Sequence, residues 1–273
     1  MKNKIFTPVA AAVLVAAAVL YGIFAGPIKN IKTDVVVFGD SLIGNDRTED
    51  SVTAQLSKLS GLSVYNAGIG GTAMNAGSEE ISRFKNYNMV SIATDIANDD
   101  FSAMLSDIPT AYIQYSNVLD YAADTIKDIA RIDYDSVKYV VIEHGVNDYL
   151  GGVALDNSAD RYDTTTFCGA LRTSIENLKK AMPDAQIIVV SPCFTWTQVG
   201  PADTTDLGYG TIDSYVEAER AVCEEEDVTF ADFYNESGIN RKNYEAFLYD
   251  SLHVNEAGSS IMADIIYKNM KSH

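Results

Sequence analysis

Short apolar runs rich in β-branched residues recur along the chain, each closed by a small or polar residue. Val35 to Phe38, Ser63 to Asn66, Tyr139 to Glu143, Gln186 to Ser191 and Val228 to Asp232 are nearly continuous in apolarity. Such continuity marks strands covered on both faces, because a strand with one wet face alternates instead. Between them Asp50 to Leu59, Phe167 to Met182 and Ile212 to Glu226 carry apolar residues at helical spacing, and Glu256 to Met270 predicts a closing helix. Strand and helix in alternation predict a parallel sheet with right-handed crossovers, an α/β domain of three layers, α/β/α.

One connection is too long for a simple crossover. The stretch of about residues 72–138 has room for two or more helices, around Glu79 to Asn98 and Ile113 to Ile132. Such an insertion after a strand end builds a substrate pocket or lid, or caps the sheet, and the pattern alone does not choose. The first 30 residues stand apart: Lys2 and Lys4 precede a nearly uncharged run from Ile5 to Gly26. That reads as a signal peptide or an N-terminal membrane anchor, with Ala25 at the candidate cleavage position and a bulky Ile23 favouring retention. Residues 31–273 are then one domain placed extracellularly or at the cell surface, with enough chain for a single sizeable core.

A formal charge of −18 sets the domain against nucleic acid and anionic lipid, so membrane contact is expected only through the N-terminal segment. The acidic residues are dispersed, as on a solubilising surface. Cys168, Cys193 and Cys223 allow at most one disulfide, and their spacing matches no zinc pattern. Buried small apolar roles suit Cys168 and Cys223. No cofactor is implied.

Chemistry collects at strand ends. Gly39-Asp40-Ser41 follows the first strand, Asn66-Ala67-Gly68-Ile69-Gly70-Gly71-Thr72 the second, and Glu143-His144-Gly145-Val146-Asn147-Asp148 the third, while Asp250-Ser251-Leu252-His253 precedes the last helix. In a parallel sheet ligands bind beyond the carboxyl ends of the strands, so these blocks are expected to converge. Ser41 alone reads as a turn or helix cap; with a base and an orienting carboxylate it becomes a nucleophile. The chain has three histidines: His273 is too near the terminus to be held rigidly, His144 shares a loop with Asn147, and His253 follows Asp250 by three residues. His253 is therefore the expected base and Asp250 its orienter, with activity falling as the imidazole is protonated in mildly acid solution.

Taken together the four blocks, running from Gly39 to His253, resemble the SGNH/GDSL hydrolase family. The resemblance implies a flavodoxin-like sheet of five or so strands and an oxyanion hole formed by the backbone N–H groups of Ser41 and Gly71 and the side-chain amide of Asn147. Gly71 is taken over Gly68 and Gly70 for its offset of five from Asn66. Asp40 and Asp148 are expected to brace these loops. His144, Tyr149 and Trp196 are candidate substrate contacts, although aromatic residues there, Phe194 among them, equally suit the core.

The alternatives lack support. Gly68 to Ala73 matches a dinucleotide fingerprint in form but follows the second strand and opens no good helix. There is no G-x-S-x-G elbow, Walker loop or H-E-x-x-H. The expected function is a serine esterase removing acyl groups, acetyl above all, from a small molecule or glycan. An O-acyltransferase, a lysophospholipase or lipase-type esterase, and a non-catalytic binding module share the same fold.

Overall fold

The computed structural model describes residues 27–77, 85–108 and 120–271. The expected leader or anchor lies outside these residues, and among them no helix is long and apolar enough to cross a membrane. The strands are β1 (Val35–Gly39), β2 (Val64–Asn66), β3 (Tyr139–Glu143), β4 (Gln186–Val190), the short ribbon pair β5 (Trp196–Thr197) and β6 (Gly200–Pro201), and β7 (Thr229–Ala231). Five of them form one parallel sheet in the order β2-β1-β3-β4-β7. β1 and β3 are wholly buried, as their unbroken apolarity requires.

The helices are α1 (Ser41–Gly44), α2 (Val52–Ser60), α3 (Met89–Asn98), α4 (Ser102–Ser106), α5 (Ala122–Ile129), α6 (Val146–Leu150), α7 (Phe167–Ala181), α8 (Ile212–Glu225), α9 (Phe233–Glu236) and α10 (Glu256–Asn269). α10 packs on α2, while α7 packs between α3 and α8, and these groups flank the sheet. This is the three-layer architecture expected. Strand order turns back between β1 and β3, whose register pairs Gly39 with Glu143, so the segments leaving these two strands emerge side by side.

Two helices of the insertion are shorter than expected. α3 begins only at Met89, because Asn88 caps it by accepting from the Ser91 N–H; Lys85–Asn88 is a turn, and residues 78–84 lie outside the described set. α5 ends at Ile129 because the chain turns to pair Ile132 with Ile31, with Arg131 O accepting from Asn30 N and Ile31 N. The start expected at Ile113 falls among residues 109–119, also outside the description. α3 covers α7 as part of a layer, so much of this insertion is structural. The three cysteines are free and buried.

Candidate active site

The chain leaves β1 into one helical turn. Asp40 caps it, its carboxylate accepting from Leu42 N at 2.9 Å, and this makes Ser41 the first helical residue at the carboxyl edge of the sheet. Gly44 and Gly68 let the β1 and β2 loops touch: a Cβ on Gly44 would meet the Gly68 carbonyl at 2.8 Å. Arg47 fastens the contact, donating to Gly44 O, Asn66 O and Gly68 O while stacking on Tyr121. The Tyr121 hydroxyl accepts from Gly70 N and donates to Asn45 Oδ1. The glycine turn is thereby held against α1.

From the other end of the sequence comes the segment Leu248–Val254, closed by a bridge between those two residues. Asp250 Oδ1 accepts from Leu252 N and His253 N, both at 2.7 Å, and Oδ2 lies 2.7 Å from His253 Nδ1. His253 Nε2 lies 2.9 Å from Ser41 Oγ. With Nδ1–H donating to the carboxylate, Nε2 is left to accept from the serine hydroxyl. Burial works to raise the Asp250 pKa, but the His253 side chain and the two backbone N–H groups outweigh it and hold the carboxyl below its ordinary range. Ser251 O anchors the segment by accepting from Trp196 N and Thr195 Oγ1, each at 2.8 Å.

The third group comes from β3. Gly145, at φ +125°, turns the chain into α6. The Asn147 amide donates to Thr72 O at 2.8 Å and to Asp40 Oδ2 at 3.1 Å, tying the β1, β2 and β3 loops together. Asp148 accepts from Met74 N, Asn75 N and Asn75 Nδ2, so it does brace the turn that carries Gly71, which sits at φ +81°. Ser41, Gly71, Asn147, Asp250 and His253 thus gather at one edge of the sheet.

Two expected substrate contacts are placed elsewhere. Tyr149 is fully buried, packed edge-on against Tyr215 with its hydroxyl donating to Thr205 O. Two residues along a helix rotate a side chain by about 200°, so when Asn147 faces the loops Tyr149 faces the core. His144 is also buried. Its Nε2 lies 3.2 Å from Thr72 Oγ1, whose own proton goes to Ile69 O, so Nε2 is the protonated nitrogen. Burial pushes its pKa down to about 3 and keeps the ring neutral. Trp196 does lie at the rim, partly exposed beside Tyr244 and Phe194. Tyr249, not singled out from sequence, stacks on the His253 ring at an interplanar angle of 12°. Its position beside Asp250 was the available signal.

Beneath the cleft lies a set of buried acids. Glu143 ends β3, Glu219 lies on α8, and both carboxyls are without hydrogen-bond partners among the described residues. Burial drives their pKa values far up, helped by Asp40 and Glu219 acting on Glu143, and by Asp148 and Asp232 acting on Glu219. Asp40 and Asp148 are raised too, chiefly by burial. No group of three or more His, Cys, Asp or Glu side chains suited to a metal occurs among the described residues. Beside Gly71 and Asn147 opens a cavity of about 280 Å³.

Residues 37–261 match the GDSL-like Lipase/Acylhydrolase family. No curated protein matches the chain. Among solved structures, a Lactobacillus plantarum protein aligns with TM-score 0.58 at 19% identity, covering 88% of this chain and 97% of that one. A Chitinophaga pinensis protein described as a possible lipase aligns with TM-score 0.54 at 16% identity, over 87% and 97%. The acetyl xylan esterase AlAXEase aligns with TM-score 0.50 at 17% identity, over 86% and 98%. At these identities the likeness is one of fold.

Proposed function

Since the chain belongs to the GDSL-like lipase/acylhydrolase family, we propose that it is a serine carboxylic ester hydrolase working through Ser41, His253 and Asp250. The observation that carries this reading is the unbroken line from Ser41 Oγ through His253 to Asp250, at 2.9 and 2.7 Å. His253 Nε2 takes the Ser41 proton as Oγ attacks the ester carbonyl, and the imidazolium then returns it to the leaving alcohol. Asp250 fixes the tautomer and stabilises the imidazolium. The tetrahedral oxygen is received by the N–H groups of Ser41 and Gly71 and by the Asn147 amide, whose longer bond, to Asp40, is the one it displaces. Water brought in by the same base then cleaves the acyl-enzyme.

On the His253 side, Tyr249 and Trp196 present exposed rings, which suits a sugar as the leaving alcohol. Together with the apolar run before Gly26, this supports action on glycan esters outside the cytoplasm. The test is hydrolysis of p-nitrophenyl esters by the domain and by Ser41→Ala. Turnover should drop by about 10⁴-fold or more; turnover that survives the change removes Ser41 as nucleophile. Fractionation of the full-length chain, with the protein found in the cytosol, would remove the export reading.

A further inference from the structure

The cavity beside the glycine turn is much larger than an acetyl group. It measures about 280 Å³ and is walled by Gly71, Ala73, Ala76, Asn147, Leu150 and Val153. An apolar cavity of about 150 Å³ holds a benzene ring, or about 25 Å³ per carbon, so this one has room for about ten carbons. Among the described residues no charged side chain lines it. The Asn75 amide at its wall is already bonded to Asp148 and to Gly77 N, so the surface it offers is poor in free polar groups.

The reaction geometry says which half of an ester this cavity receives. The leaving oxygen must sit at His253 Nε2 to be protonated, and the carbonyl oxygen must point at Gly71 and Asn147. Gly71 and Asn147 belong to the cavity wall, whereas Ser41 and His253 do not. The alcohol therefore lies on the side of Tyr249 and Trp196, and the acyl carbons run past the oxyanion donors into the cavity.

We propose that this cavity is the acyl subsite and that the protein takes unbranched acyl groups of about six to ten carbons in preference to acetyl, a proposal whose chemistry rests on the esterase reading above. It departs from the acetyl group expected from the sequence.

Two measurements separate the cavity from the catalysis. The first is kcat/KM for p-nitrophenyl acetate, butyrate, hexanoate and octanoate, with the domain and with Ala73→Leu and Val153→Phe, which narrow the cavity at two places. The octanoyl ester should exceed the acetyl ester by about tenfold or more, and either variant should lower that ratio by about tenfold. The second is calorimetric binding of octanoate to Ser41→Ala, expected to be lost when Ala73→Leu or Val153→Phe is added. An acetyl ester preferred over octanoyl, with turnover that needs Ser41, overturns the acyl-length proposal and leaves the esterase reading standing. Octanoate binding that depends on Ala73 or Val153, with no turnover of any ester, upholds the cavity and removes the esterase reading. Absence of octanoate binding overturns the proposal whatever the turnover. Should one narrowed variant fail to fold, the other supplies the comparison.

Discussion

The carboxylates at the lip of the cleft and those of its floor have opposite fates. Asp250, with its side chain 44% exposed, accepts three N–H donors and is held in its charged form. The floor acids Asp40, Asp148, Glu143 and Glu219 are buried, and burial pushes all four toward the neutral form. Donors decide between lip and floor less than solvent does, for Asp148 has three donors and is still raised. In the proposed reaction a charge at the lip would stabilise an imidazolium, whereas a charge in the floor would oppose the oxyanion. The molecule keeps negative charge on the side of the base and away from the side of the donors.

Breaking the lip gives the largest effect. Asp250→Asn should lower kcat by about 10³- to 10⁴-fold through the wrong imidazole tautomer, while the melting temperature moves by no more than about 2 °C. Steady-state kinetics and calorimetry on one sample check both. Next comes the joint between the regions: Asn147→Ala should lower kcat by about 10²- to 10³-fold with KM little changed. An equal loss in 1/KM would make Asn147 a ground-state contact instead.

In the floor the loss should appear as stability. Asp148→Ala leaves two backbone N–H groups and the Asn75 amide without their acceptor, and at about 1 kcal/mol or more for each the domain should lose about 3 kcal/mol, or about 9 °C in melting temperature. The smallest effect sharpens the contrast most. With Glu219 raised in the folded state, the native protein keeps a proton that the unfolded chain releases, so this stability is whole below the ordinary glutamate range and declines as pH rises. Glu219→Gln should therefore gain about 1–2 kcal/mol at about pH 8 and little at about pH 4. Buried His144 has the reverse sign: its pKa is depressed to about 3, so its share of stability is present above the ordinary imidazole range and is lost on acidification. Thermal melts across pH should show both limbs in the parent chain and a shallower alkaline limb in Glu219→Gln, where Glu143, Asp40 and Asp148 still hold raised pKa values.

The five sheet strands were legible because continuous β-branched runs have few other uses in a domain of this size; β3 begins and ends where the pattern puts it. The paired residues of the cleft were legible because few histidines competed for the role. What the pattern could not carry was phase and depth. α1 and α6 are single turns, too short for a periodicity to show, and the direction of Tyr149 depends on that phase. The β5–β6 ribbon has two residues a strand, below any alternation that could be read. In sequence His144 looks like loop polarity and Glu143 like the polar residue that closes a strand, and neither signals depth. Their burial follows from β1 and β4 pairing on either side of β3, a contact between residues about a hundred apart in Gly39 and Glu143.

Every strand of the sheet is complete by Ala231, yet the imidazole that lies 2.9 Å from Ser41 Oγ comes only with His253. Synthesis from the amino end thus delivers scaffold and alcohol early and their proton acceptor close to last. If the proposed esterase chemistry holds, the growing polypeptide stays inert toward esters until the Leu248–Val254 segment has emerged and closed.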